Sequence, residues 1–217
     1  MAFSQFTKCI IMISVSLNEV YSETYKALRS VNIEWSLAKD CANKSKWLAK
    51  HGQYFLGSIL KTADLYKNNK ISISINKNTN KKPLATALLG LLLVEYVSAN
   101  KITWEGYIDN SKFLLAAMGI IAEEQKINLI LENEQKDIIA FTKDKEIYVN
   151  ANLDTKISSY YFLKTYDFIK KKDINFTNLK KNKNVTKLNA QCWQKLKSMA
   201  FETYVPESET SKSGAGY

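Results

Sequence analysis

The chain is poor in the residues on which most recognisable chemistry depends. Its 217 residues include one histidine, His51, and one arginine, Arg29, beside 30 lysines. A lone histidine excludes a His-based metal cluster and leaves only His51 for any Ser-His-Asp or Cys-His arrangement. The three cysteines, Cys9, Cys41 and Cys192, are odd in number, far apart and form no C-x-x-C pair. A disulfide framework or a structural zinc site is therefore not expected, and a reducing cytoplasm fits this usage best. The 7 glycines and 2 prolines are too few for a collagen-like or low-complexity chain. No glycine falls in G-x-G-x-x-G or G-x-x-x-x-G-K, and neither H-E-x-x-H nor G-x-S-x-G occurs. The motifs thus assign no catalytic residue, no metal and no cofactor.

Long hydrophobic runs are missing as well. The stretch from Cys9 to Leu17 is interrupted by Asn18 and Glu19, and no cleavage site of the A-x-A kind follows it. The run from Leu84 to Val94 stops at Glu95 after eleven residues, short of the roughly 20 that span a bilayer. Both read as buried elements, and no membrane segment is expected. Met12 offers an alternative start, which would make residues 1–11 an extension to a single domain over 12–202.

What the chain does have is basic charge, +10 in all. Ten lysines against Asp167 and Asp173 between Lys164 and Lys197 account for +8 of it. Nucleic-acid recognition favours the planar guanidinium, and lysine, asparagine and isoleucine abound together as an AT-rich coding sequence would produce. Solvated lysines are therefore the expectation, and polyanion or nucleic-acid binding through residues 164–197 is a lesser alternative.

The first half reads as helical. Ser16-Leu17-Asn18-Glu19 has the S-x-x-E spacing of a capping box, opening a helix to about Ser30. A second helix runs from about Glu34 to His51, with an apolar stripe through Leu37, Ala38, Cys41, Ala42, Ser45, Leu48 and Ala49, and Gly52 as its left-handed stop. A third spans about Tyr54 to Tyr66. The alternation Ile71-Ser72-Ile73-Ser74-Ile75 predicts a half-buried strand. Pro83 is placed at the first turn of a buried helix reaching about Ala99, a short strand follows over 102–104, and helical spacing returns over 111–125.

Then the pattern changes. Runs over 127–131, 137–142 and 146–149 are separated by short polar turns, which demand antiparallel neighbours, and 157–163 is a possible fourth strand. Residues 170–187 read as a surface connection before a last helix over about 187–199. Helices followed by an antiparallel meander give an α+β class, a helical layer packed on a small antiparallel sheet.

Candidate site residues are few. Trp35 and Trp47 could stack a ligand, although tryptophans at helical spacing more often pack in the core. Glu123-Glu124 reads as a solvated helix end, since adjacent helical residues point about 100° apart. His51 at a helix stop suits the dipole there. The tail over 203–217 joins an aromatic–proline anchor to alternating acids and hydroxyls; its candidate contacts are Tyr204, Pro206, Ser208, Glu209, Ser211 and Lys212.

Four segments carry a resemblance: Ser16–Glu19 (SLNE), Trp35–Ala38 (WSLA), Trp47–Gly52 (WLAKHG) and Thr203–Gly216 (TYVPESETSKSGAG). From Met12 onward the chain resembles a bacterial family known only as a domain of unknown function. Its members carry a W-x-L-A…W-L-A-x-x-G helix and a T-Y-V-P-x-S-E-x-S-R-x-x-G-A-G tail; Lys212 stands where that family has arginine. The resemblance implies one compact module, a bacterial cytoplasmic setting and a tail that docks, and it implies no reaction. The resulting expectation is a non-catalytic accessory or binding subunit in small-molecule metabolism, meeting a protein partner or small-molecule ligand. The alternative is an enzyme acting on a small acidic or amide substrate through Glu207 or Glu209 with Tyr204 and Lys212.

Overall fold

Ser16 shows how local sequence starts the fold. Its hydroxyl accepts the backbone N–H of Glu19 at 3.2 Å, while Glu19 Oε2 accepts the Ser16 N–H at 3.2 Å. This reciprocal cap ends strand β1 (Met12–Ser16) and begins helix α1 (Leu17–Ser30). The computed structural model describes residues 11–75, 82–150, 159–167, 176–180 and 184–203. Helix α2 (Trp35–Lys50) stops as expected, with Gly52 in the left-handed region at φ 66°. Helices α3 (Leu56–Lys67) and α4 (Thr86–Asn100), strand β2 (Trp104–Ile108) and helix α5 (Ser111–Gln125) follow. The remaining elements are β3 (Leu129–Asn133), β4 (Ile138–Lys143), β5 (Glu146–Asn150), β6 (Ser159–Thr165), β7 (Phe176–Asn178), β8 (Val185–Asn189) and α6 (Ala190–Phe201).

The class is α+β. Six strands form one sheet in the order β2-β6-β3-β4-β5-β7, each pair antiparallel, and β1 pairs with β8 in a separate two-stranded sheet. Period-two alternation gives the large sheet an inner face with Trp104, Leu129, Leu131, Ala140, Ile147, Val149 and Leu163, all buried. Helices α4 and α5 cover that face. Helix α2 packs on α4 and α5 from the far side, and α1 and α6 pack beyond it. One continuous cluster of buried apolar side chains runs through these layers, from Val15 to Ala200. Its burial is the main force holding helices to sheet.

Three expectations need correction. The Ile71–Ile75 alternation does not form a strand: Ser72 makes one parallel bridge with Leu84, and Ile73 is exposed. The Ser72 hydroxyl accepts the Ser74 N–H at 3.3 Å, a local bond that competes with a ladder. Pro83 lies ahead of α4, not in its first turn, because Leu84 is committed to backbone bonds with Tyr107 and Asp109. Helix α4 starts at Thr86, where the Asp109 carboxylate accepts both the backbone N–H at 2.8 Å and the hydroxyl at 2.7 Å. The connection over 170–187 contains β7 and the first residues of β8. Both strands are polar and short, and their main-chain bonds come from distant partners, β5 and β1.

Candidate functional site

Lys44 and Asp109 carry ionisable groups buried against the helical layer. Lys44 is 0% exposed, and its Nζ donates to the carbonyls of Thr86 at 3.1 Å and Leu88 at 3.4 Å. Burial holds this ammonium down to about 8, against the pull of Cys41, Asp40 and Asp109. Burial likewise raises the Asp109 carboxyl, opposed by its bonds to Thr86 and Thr62. Both groups are used up holding α2, α3 and β2 to the start of α4. Their role is structural.

The best-assembled cleft lies between α2, α5 and the β5–β7 edge, with a volume of about 430 Å³. The helical wall starts at Trp47, whose indole closes on α5 because position 119 is glycine; a Cβ there would lie 2.2 Å from Trp47 Cζ2. Trp47 Nε1 donates to Glu123 Oε1 at 3.3 Å, which points that carboxylate along the cleft. One turn on, the His51 ring stacks on Trp47 with centroids 3.7 Å apart. Its Nδ1 lies 2.8 Å from the Trp47 carbonyl, so Nδ1 carries the proton and donates it there. His51 therefore serves the helix stop foreseen for it and also walls the cleft.

The sheet supplies the opposite wall. Glu146 borders the cleft at the start of β5, but its carboxylate turns to the outer sheet face, where Oε2 accepts from Tyr148 OH at 2.8 Å and from Asn178 Nδ2 at 2.7 Å. Lys145 sits in the tight β4–β5 turn, where both Asp144 (φ 52°) and Lys145 (φ 68°) are left-handed. Such a turn favours Asn-Gly or Asp-Gly, so a lysine there is held in strained backbone, and strain of that kind gathers at binding sites. Lys180, just after β7, completes the lining with Leu179 and Ile147. One carboxylate, Glu123, thus shares an opening with Lys145, Lys180 and the His51 imidazole over an apolar floor of Ile147 and Leu179. That mixture suits a small polar ligand with groups of both signs.

The residues singled out from sequence divide sharply. Trp47 belongs to this cleft. Trp35 does not: twelve residues along a helix put it about 18 Å away and about 120° round the axis. It is 67% exposed, with the Arg29 guanidinium 4.8 Å from its ring centroid and Tyr25 edge-on at 6.3 Å. The sole arginine is thus spent on this packing and on the Ile33 carbonyl. Tyr204, Pro206, Ser208, Glu209, Ser211 and Lys212, with Glu207, lie outside the described residues. Glu123 is a wall of the cleft as well as part of a helix end. The sequence reading missed Lys145, Glu146, Asn178 and Lys180; the polar turn at 143–145 was their one visible trace.

Other features fit less well. The outer sheet face carries two groups of touching rings, Tyr107, Tyr160 and Phe162 in one and Phe141, Tyr148 and Phe176 in the other. Its Lys164, however, is paired with Glu132 at 2.8 Å. Of the lysines between 164 and 197, Lys164, Lys180, Lys187, Lys195 and Lys197 are described, and they are spread over β6, the β7–β8 connection, β8 and α6. Among the described residues no group of three His, Cys, Asp or Glu side chains could hold a metal, and no helix is long and apolar enough to cross a membrane. No family model matches this chain, and neither the curated proteins nor the solved structures include one similar to it.

Proposed function

We propose that this protein binds a small polar molecule bearing both an acidic and a basic group, in the Trp47–His51 cleft, as a non-catalytic accessory or binding subunit of small-molecule metabolism. One observation carries the reading: Trp47, His51 and Glu123 from the helices converge with Lys145 and Lys180 from the sheet edge. The resemblance noted in the sequence adds a bacterial cytoplasmic setting to the proposal. Amino acids and their N-acetyl and amide derivatives are suitable probes, screened by thermal shift and confirmed by calorimetry. A hit should raise Tm, and Glu123→Gln should weaken it about tenfold or more, the scale of a lost charged hydrogen bond. Lys145→Gly should separate binding from folding. It relieves a left-handed lysine, raising stability by roughly 1 kcal/mol, yet weakens the ligand. A screen without hits, or hits indifferent to both substitutions, would remove this reading.

Deleting residues 203–217 tests the expectation that the tail contributes. Loss of ligand or partner binding is the expected result, and unchanged binding with unchanged Tm would defeat that expectation.

A second reading, an enzyme acting on a small acidic or amide substrate, draws support from His51 and Glu123 sharing the cleft. Slow turnover of an amide hit, lost in His51→Gln, would favour it over simple binding.

A further inference from the structure

A second cavity lies between α3 and the start of α5, with a volume of about 280 Å³. From the polar groups around it we infer that the protein binds a small oxyanion there, phosphate or the phosphoryl group of a small metabolite, held by Lys61 and Lys112. The argument is one of unused hydrogen-bonding capacity. The one carboxylate in the lining, Asp109, is tied into the fold: Oδ1 accepts from the Thr86 N–H and shares the Thr86 hydroxyl proton with the Asn110 carbonyl, and Oδ2 accepts from the Thr62 hydroxyl at 3.1 Å. Asn110 Oδ1 is occupied by the backbone N–H groups of Lys112 and Phe113.

What remains is rich in donors, with only hydroxyl oxygens such as those of Ser58 and Tyr54 left to accept. Asn110 Nδ2 donates to Ser58 Oγ at 2.6 Å, so the Ser58 hydroxyl proton and the second Nδ2 proton are left over. Lys61 and Lys112 line the opening and make no hydrogen bond or ion pair through Nζ with any described residue. Lys112 is half-buried, and that burial alone lowers its ammonium from the usual lysine range. A poorly solvated cation without a counter-ion is stabilised by an arriving anion. Donors on several sides suit a tetrahedral, multiply charged acceptor better than a flat carboxylate, and the two ammonium groups outweigh the single carboxyl. The volume accommodates a phosphoryl group with a few carbon atoms.

The site is independent of the Trp47–His51 cleft, so either can fail alone. The test uses the whole chain at low salt, with inorganic phosphate, glycerol 3-phosphate and acetate as probes in calorimetry and thermal shift. Either phosphorus probe should bind saturably and more tightly than acetate. Lys61→Met and Lys112→Met should each weaken it about tenfold or more, while Lys67→Met, an exposed lysine on the same helix outside the cavity, should not. Preference for glycerol 3-phosphate over phosphate would identify an esterified ligand; the reverse would identify the free ion. Circular dichroism and Tm without ligand confirm that each variant is folded. Absence of saturable binding by either probe, or equal weakening by Lys67→Met, would overturn the assignment, the latter marking a diffuse surface charge effect.

Discussion

Gly119→Ala is expected to unseat the Trp47 indole and spoil the cleft. A Cβ at position 119 would lie 2.2 Å from Trp47 Cζ2 and 2.8 Å from Cε2. No flexible chain end can yield there, because the obstacle is a rigid ring pinned by Glu123 and stacked on His51. Two effects oppose each other. Alanine is the better helix former by about 1 kcal/mol, whereas overpacking a core contact costs about 1–3 kcal/mol. At 2.2 Å the steric cost wins, and net destabilisation of roughly 1–2 kcal/mol is expected from denaturant unfolding. The ring rotates out, giving up the Nε1 bond and the His51 stack, and the intrinsic tryptophan emission shifts. A double-mutant cycle shows the cause. With Trp47→Phe already present, adding Gly119→Ala should cost little further, since the smaller ring leaves room. Unchanged emission, or stability within about 0.5 kcal/mol of the parent, the ordinary scatter of harmless substitutions, would contradict the packing described.

Lys44→Met should stabilise the protein at pH 7 and remove most of a rise in stability above pH 8, Lys112 keeping a smaller share. The Lys44 ammonium titrates at about 8 in the fold and at 10.5 when unconstrained. Below pH 8 both states are protonated, and folding bears the whole cost of burying the charge. Between pH 8 and 10.5 the unfolded chain holds a proton that the folded chain has released, so raising the pH favours folding. Cys41 works the other way: burial raises its thiol from 9.0 to about 12, so its contribution is present below pH 9 and is lost as pH climbs toward 12. Tyr166, also raised to about 12 from 10.0, adds a loss above pH 10. The uncontested rise is therefore confined to about pH 8–9.

Methionine matches the lysine stem in length and removes the charge. The Thr86 and Leu88 carbonyls keep their places in the α4 ladder, so little is left unsatisfied. A gain of roughly 1–3 kcal/mol at pH 7 is expected. Lys44→Ala should instead lose stability, since the cavity left behind costs about 2–5 kcal/mol for a side chain of this size. Should Lys44→Met prove less stable than the parent at pH 7, the ammonium would be contributing net binding energy where it lies, and the electrostatic account would be wrong.

These two residues also show where sequence stopped being informative. Lys44 falls on the same helical face as Cys41 and Leu48, three residues after one and four before the other, so its inward direction was legible. Its burial was not, because a lysine at that spacing usually bends its stem toward water; α4 lying across it removed that option. Gly119 interrupts an otherwise regular helical pattern, and nothing local says that a tryptophan 72 residues earlier requires the space. Trp47 was chosen as a site residue from its type alone. Its neighbours in the cleft, Lys145 and Lys180, lie in segments read as a polar turn and a surface connection.

What sequence determined by itself was the set of elements whose causes are local. The Ser16–Glu19 box, the Gly52 stop and the 111–125 helix pattern each depend on groups within a few residues, as does the alternation that made β3, β4 and β5 an antiparallel meander. Tertiary structure alone decided the rest. It placed β6 on the far side of β3, recruited the polar segments β7 and β8 as strands, and used Asp109 to begin α4 in place of a local cap. It also gathered both cavities from elements far apart in the chain. A hydrogen bond to a neighbour can be foreseen from spacing, whereas a bond or a void made by distant segments exists only once the apolar faces have fixed how the layers stack.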